Sequence, residues 1–198
     1  NWTSGSVTVK AVSGNSIRFY EQEDNSLSEN EKLRWLVSDG KLTIQFCKSG
    51  LKGANFFKNI TGKNLVVEVP SGTSLDDFSL DCVSASADVS GFDSDNFDLD
   101  SVSGGVMISG VNCSNVNIDS VSGRLELTDF SADSLEMDTT SGKVSVSGVF
   151  SSVDIDTVSG SIAATLSKCP DSFDADTISG SVTLTVPANS GFTADLST

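Results

Sequence analysis

Seven aspartates stand at near-constant intervals along the chain: Asp81, Asp100, Asp119, Asp138, Asp156, Asp176 and Asp195. Two residues before them, on the same side of an extended strand, come Asp98, Glu136, Asp154 and Asp174, with Ser79, Asn117 and Thr193 in the other copies. Three chemistries suit so many carboxylates. A pair flanking a glycosidic bond would act as acid and base. A hard divalent cation, calcium above all, would bridge Asp98, Asp100, Asp119, Asp138, Asp154, Asp156, Asp174 and Asp176 on neighbouring copies. Alternatively, each aspartate accepts hydrogen bonds from the backbone N–H groups that follow it, as in an Asx-turn. An active site is unique, whereas these acids recur in every copy, which is what structural positions do. Calcium takes roughly six to eight oxygens, and a flat ladder supplies them poorly. The calcium-binding nonapeptide pattern is also missing. The Asx-turn is therefore the expectation, with no metal and no cofactor.

The rest of the composition removes most enzymes. The chain has no histidine, hence no usual general base, zinc ligand or triad. It has no Gly-x-Ser-x-Gly elbow, phosphate loop or dinucleotide fingerprint. Beyond residue 63 the only cations are Arg124, Lys143 and Lys168, too few for a polysaccharide-cleaving site that needs a base beside its acids. No catalytic residue is expected. Charge is segregated: residues 1–63 carry 9 Lys/Arg against 6 Asp/Glu, a net of +3, and residues 64–198 carry 3 against 21, a net of −18. Such an array repels phosphates, so nucleic acid is not an expected partner. Cys47, Cys82, Cys113 and Cys169 have no metal-binding spacing and are expected as free or buried thiols, with a Cys47–Cys82 bond left open.

The acids are placed by a repeat. Six segments align, Phe78–Gly91, Phe97–Gly110, Val116–Asp129, Leu135–Gly148, Val153–Leu166 and Phe173–Val186, and a seventh starts at Phe192. Their starts step by 19, 19, 19, 18, 20 and 19 residues. Each unit runs apolar-x-apolar-Asp, Ser/Thr-Val-Ser-Gly, apolar-x-apolar. Apolar residues two apart define strands, and helical spacing does not persist. Each unit is thus two short strands about a Ser-Gly corner (Ser84-Ala85 in the first), where glycine implies positive φ or close backbone approach. The corner serines form a hydroxyl column suited to hydrogen bonding along the array. Hairpin stacking would not require identical residues at identical offsets, whereas a coil with one turn per repeat does. The expected fold is all-β: one single-domain parallel β-solenoid spanning 1–198, of about eight turns of roughly 19 residues, adjacent turns roughly 4.8 Å apart.

Residues 76–198 hold the regular repeats and 1–75 irregular, loop-decorated turns. Ser4–Val9 matches the second strand of a unit, Ile17 and Phe19 the first strand of the next, Gly40–Ile44 another second strand, and Leu65–Val69 a further strand stopped by Pro70-Ser71-Gly72. The insertion Glu21–Glu31 is expected as a solvated loop. The insertion Lys48–Lys63 carries Phe56-Phe57, which either cap the side of the solenoid or bind a partner. Asn59-Ile60-Thr61 is a glycosylation triplet of little diagnostic weight.

The recurrent Asp-Ser/Thr-Val-Ser-Gly, the opening Trp2-Thr3-Ser4-Gly5-Ser6-Val7, Asp39-Gly40-Lys41-Leu42-Thr43-Ile44 and Leu65-Val66-Val67-Glu68-Val69-Pro70 together resemble a bacterial adhesin-like family, domain of unknown function 4097. The resemblance covers nearly the whole chain. It implies a toast-rack-like β-solenoid in the cell envelope, outside the membrane behind a signal or anchor, and no known catalytic residues. Four cysteines sit oddly with export, which keeps a cytoplasmic site in play. Two functions follow: a non-enzymatic adhesin-like surface module that binds a protein or cell-surface polymer, or an extracytoplasmic sensing scaffold that docks a membrane-protein partner. Asn1-Trp2 already lies within a repeat-like strand, which suggests a truncated chain or a processed mature form whose upstream signal or anchor has been removed. A ladder edge near Thr198 suggests end-to-end self-association.

Overall fold

A computed structural model describes residues 1–22, 27–49, 62–188, 191 and 193. Over these residues the chain is all-β, without a helix. The strands are β1 (Trp2–Val12), β2 (Arg18–Gln22), β3 (Arg34–Ser38), β4 (Lys41–Gln45), β5 (Lys63–Pro70), β6 (Ser74–Ser90), β7 (Asp93–Ser101), β8 (Val106–Ser109), β9 (Asn112–Leu166), β10 (Ser172–Ser179) and β11 (Val182–Thr185). One sheet runs β10-β9-β7-β6-β1-β5-β2, with β8 beside β6 and β9, and β11 beside β9. Its pairings are parallel except β2 with β5.

The register sets like residue against like. Phe78 pairs with Phe97 and Phe97 with Val116, while Leu80, Leu99 and Ile118 follow two residues on. In the second half of each unit Ala87, Val106 and Leu125 pair in sequence, as do Val89, Ile108 and Leu127. Farther along, Val153 faces Phe173 and Ile162 faces Val182. Parallel pairing of one unit with the next excludes the hairpin alternative for these units. Alternation sends Phe97, Leu99, Val106, Ile108, Ile118, Leu125 and Leu127 into a common core at 3% exposure or less. Each such side chain stabilises the fold by about 1.5–3 kcal/mol through burial. A third inward column, Phe92, Val111, Phe130 and Phe150, was not singled out from the sequence, and all four are buried. Phe130 and Phe150 stack with ring centroids 6.0 Å apart, and Phe97 meets Phe130 edge-on at 6.1 Å.

The glycine column at the Ser-Gly step is enforced by crowding. A Cβ added to Gly123 would fall well inside 3.0 Å of the Gly104 carbonyl oxygen, and one on Gly142 would strike the Gly123 oxygen in the same way. Gly104, Gly160 and Gly180 repeat that approach against the preceding copy. Ala85 is the exception that the sequence left unexplained. It pairs with Gly5, lies fully buried, and is not among the positive-φ residues, so its methyl group carries no left-handed strain.

The N-terminal third departs from the expected stack in three places, the first being the order β6-β1-β5, which sets β5 on the far side of β1 from the turn that follows it in sequence. Ser4–Val9 does lie in parallel register, with Val7 between Leu65 and Ala87. Ile17 and Phe19, however, do not begin another parallel unit: β2 runs antiparallel to β5, Phe19 facing Val67, and Ile17 is exposed. Gly40–Ile44 is likewise not a rung of the large sheet. It forms a two-stranded antiparallel hairpin with β3, Ser38 opposite Lys41. The cause is local, since Asp39 and Gly40 both have positive φ, the two-residue turn whose twist suits a hairpin.

Candidate functional site

Along the first strand of each unit, outward positions flank an inward one. Aspartates and valines two residues apart therefore face the same side, separated by roughly 7 Å of strand. Stacking turns them into the two walls of an open groove of about 920 Å³. One wall is Asp81, Asp100, Asp119, Asp138, Asp156 and Asp176; the other is Val83, Val102, Val121, Thr140, Val158 and Ile178. Val83, Val102, Val121 and Val158 are 43–51% exposed, and Ile178 is 83% exposed. The sequence displayed these valines as part of the corner without showing that they form an apolar stripe beside the acids. Between the walls run Cys82, Ser101, Ser120, Thr139, Thr157 and Thr177. Ser120 and Thr139 each donate to a carbonyl two residues on, at 3.4 Å, whereas the hydroxyls of Ser101, Thr157 and Thr177 have no hydrogen-bond partner among the described residues.

The acid wall is electrostatically unrelieved. Burial, and then the charges of Asp98, Asp81 and Asp119, raise the Asp100 carboxyl above its ordinary value. Asp138 is raised by burial and then by Asp119 and Asp156. Asp154, in the column two residues before the wall, is raised by burial and then by Asp156, Asp174, Asp138 and Asp176. Other acidic columns are interrupted by amide donors. Asn96 donates to Asp77 at 2.9 Å, Asn112 to Asp93 at 2.8 Å and Asn117 to Asp98 at 3.3 Å. Asp81, Asp100 and Asp119 pair directly, acid on acid, as do Asp156 and Asp176.

The expected Asx-turn is corrected here. Among the described residues no backbone N–H donates to a carboxylate of this wall. The corner N–H groups are taken by the preceding copy instead: Ser103 N–H donates to the Val83 carbonyl at 2.8 Å and Ser122 N–H to that of Val102 at 3.1 Å. The corner hydroxyls make the same step, Ser103 to Val83 and Ser122 to Val102 at 3.2 Å, and Ser141 to Val121 at 3.4 Å. Thus the expected hydroxyl column does bond along the array. The calcium candidates Asp98, Asp100, Asp119, Asp138, Asp154, Asp156, Asp174 and Asp176 lie in rows. Among the described residues no three His, Cys, Asp or Glu converge as metal ligands would.

A second polar centre lies at the other end. Glu21, read from sequence as part of a solvated loop, ends up in β2 with its carboxylate 2.8 Å from the Lys63 ammonium, the two side chains 9% and 3% exposed. Lys63 also donates to the carbonyls of Glu31, at 2.6 Å, and Phe46, and lies 4.4 Å from the centre of the Phe46 ring. Glu21 accepts the Leu33 N–H at 3.1 Å, and the Trp2 indole donates to the Lys63 carbonyl at 2.9 Å. The three donors of the Lys63 ammonium go to Glu21, Glu31 and Phe46, so the cluster ties β2 and the segments at Glu31 and Phe46 to β1 and β5. The sequence carried no signal for it beyond the two residue types.

All four cysteines are free, including Cys47 and Cys82. Burial pushes the thiols of Cys82 and Cys113 up to about 11 and about 12. Phe56 and Phe57, Asn59-Ile60-Thr61, Phe192, Asp195 and the chain end at Thr198 lie outside the described residues. No described helix is long and apolar enough to cross a membrane. Neither a curated protein nor a solved structure matches the chain. A family model matches residues 1–198, and the chain belongs to the Toastrack DUF4097 family.

Proposed function

We propose that the chain is a non-enzymatic, adhesin-like binding module working outside the bacterial cytoplasm, with a protein or cell-surface polymer as partner. The scaffold is a single β-solenoid of about eight turns of roughly 19 residues, in which from β6 onward each turn rests on the next. In-register pairing such as Phe78–Phe97–Val116 supports it. A stacked array suits binding rather than catalysis, because it repeats one surface element many times and no element is chemically singular. The groove carries the proposal. Its Val stripe is exposed beside an unbroken Asp row, although folding alone would favour polar residues at such positions.

The test is retention of the fluorescently labelled chain on intact bacterial cells and on their isolated walls, by sedimentation. The expected result is saturable retention that falls at least about tenfold with V102K/V121K, variants that fill the groove with charge but lie on its exposed surface. Absence of saturable retention on cells, walls and wall proteins would overturn the proposal.

A further inference from the structure

We propose that the groove between the Asp and Val walls binds a basic polypeptide segment in extended conformation, with Lys or Arg alternating with apolar side chains. This ligand class rests on the binding-module reading above and narrows it. Three observations point to it. The walls are parallel and chemically different, one anionic and the other apolar except at Thr140. An extended peptide sends successive side chains to opposite sides, so alternating basic and apolar residues meet both walls at once. A helix, a polyamine or a free cation would match one wall only.

The second observation is length. Six copies, from Asp81 to Asp176, span five steps of about 4.8 Å, or ~24 Å, which an extended segment of about seven residues covers. The third is charge. Asn96, Asn112 and Asn117 relieve the neighbouring acidic columns in part, Asp154 and Asp174 still pairing acid on acid there, whereas no amide or cation breaks the row from Asp81 through Asp100 to Asp119. The chain's net −15 gives a cationic segment a long-range attraction and disfavours a second copy of the same chain. The exposed Val102, Val121 and Val158 supply the apolar contact that would distinguish this ligand from any other polycation.

The probe is an eight-residue peptide of alternating Lys and Val, capped and labelled, titrated against the intact chain by fluorescence anisotropy in 150 mM salt. Two comparators are octalysine and the block isomer of four Lys followed by four Val. The alternating peptide should bind at least about tenfold more tightly than either, since its Val face is worth roughly 1.4 kcal/mol or more. V121S and D119N should each weaken it by about threefold or more without lowering the melting temperature, D119N removing one like charge from the row. Equal affinity for all three peptides would mean unspecific attraction and overturn the proposal, as would indifference to both substitutions. So would sedimentation velocity showing the chain associating with itself through the groove in a V121S-sensitive manner, which would make the occupant a second copy. Retention on cell walls with no preference among the peptides sinks the ligand class alone; loss of both sinks the binding-module proposal as well.

Discussion

Replacing Gly123 by alanine tests whether backbone crowding holds the units in register. Gly123 has φ of 130°, and an added Cβ would overlap the Gly104 carbonyl oxygen. The left-handed conformation costs a non-glycine residue about 1–2 kcal/mol. Forcing apart two stacked backbones adds about 1–3 kcal/mol, since flanking copies are hydrogen-bonded and cannot yield independently. The sum is roughly 2–5 kcal/mol. Three controls separate its parts. Gly110 has φ of 60° with open space around a Cβ, so G110A carries the dihedral cost alone. Gly160 lacks the left-handed φ but would strike the Gly142 oxygen, so G160A carries the overlap alone. Gly14 has neither, and G14A should be neutral or stabilising by about 0.4–1 kcal/mol. The assay is equilibrium urea unfolding followed by both far-ultraviolet circular dichroism and tryptophan fluorescence. With a slope of about 2 kcal/mol per molar, G123A should lower the midpoint by about 1–2.5 M. Trp2 and Trp35 report the N-terminal part, so a dichroism transition that separates from fluorescence would reveal loss of the repeats alone. A G123A midpoint no lower than that of G110A would refute the crowding explanation.

Three further outcomes follow. K63M should destabilise by about 3–5 kcal/mol because it leaves the Glu21 carboxylate buried without its cation, and K63M/E21Q should recover part of that loss in the same urea assay. The raised carboxyls of Asp100, Asp138 and Asp154 mean that the folded state binds protons more readily than the unfolded chain. Their contribution to stability is full below the ordinary carboxylate value of 3.8 and is lost as pH rises through the folded value, so the melting temperature should climb as pH falls through the raised folded values toward 3.8. Added salt at pH 7 should raise it too, by screening the Asp row, and scanning calorimetry showing a fall in both cases would contradict the repulsion. Cys82, buried and with its thiol pushed up to about 11, should resist iodoacetamide at pH 8 in the native chain and react fully in urea, as mass spectrometry would show.

Strand periodicity, the apolar columns and the Ser-Gly step were legible in the sequence because each is a local rule repeated many times. Phe97, Val116, Leu99 and Ile118 could be assigned inward faces from two-residue alternation, and repetition named their partners in the next copy. Local rules also misled where the repeat lapses. Ile17–Phe19 kept the right spacing from Val7, yet spacing cannot show strand direction, and β2 turned antiparallel. The Asp39-Gly40 turn outweighed the apparent likeness of Gly40–Ile44 to a repeat strand. What only the tertiary structure decided was how neighbouring columns divide labour. Asp100 and Val102 are two residues apart in sequence, but a groove exists only once six copies align. Carboxylates with N–H groups next to them in sequence are left without those bonds because the preceding copy's carbonyls accept from them first. Glu21 and Lys63, 42 residues apart, form a buried ion pair through long-range packing that no short-range pattern encodes.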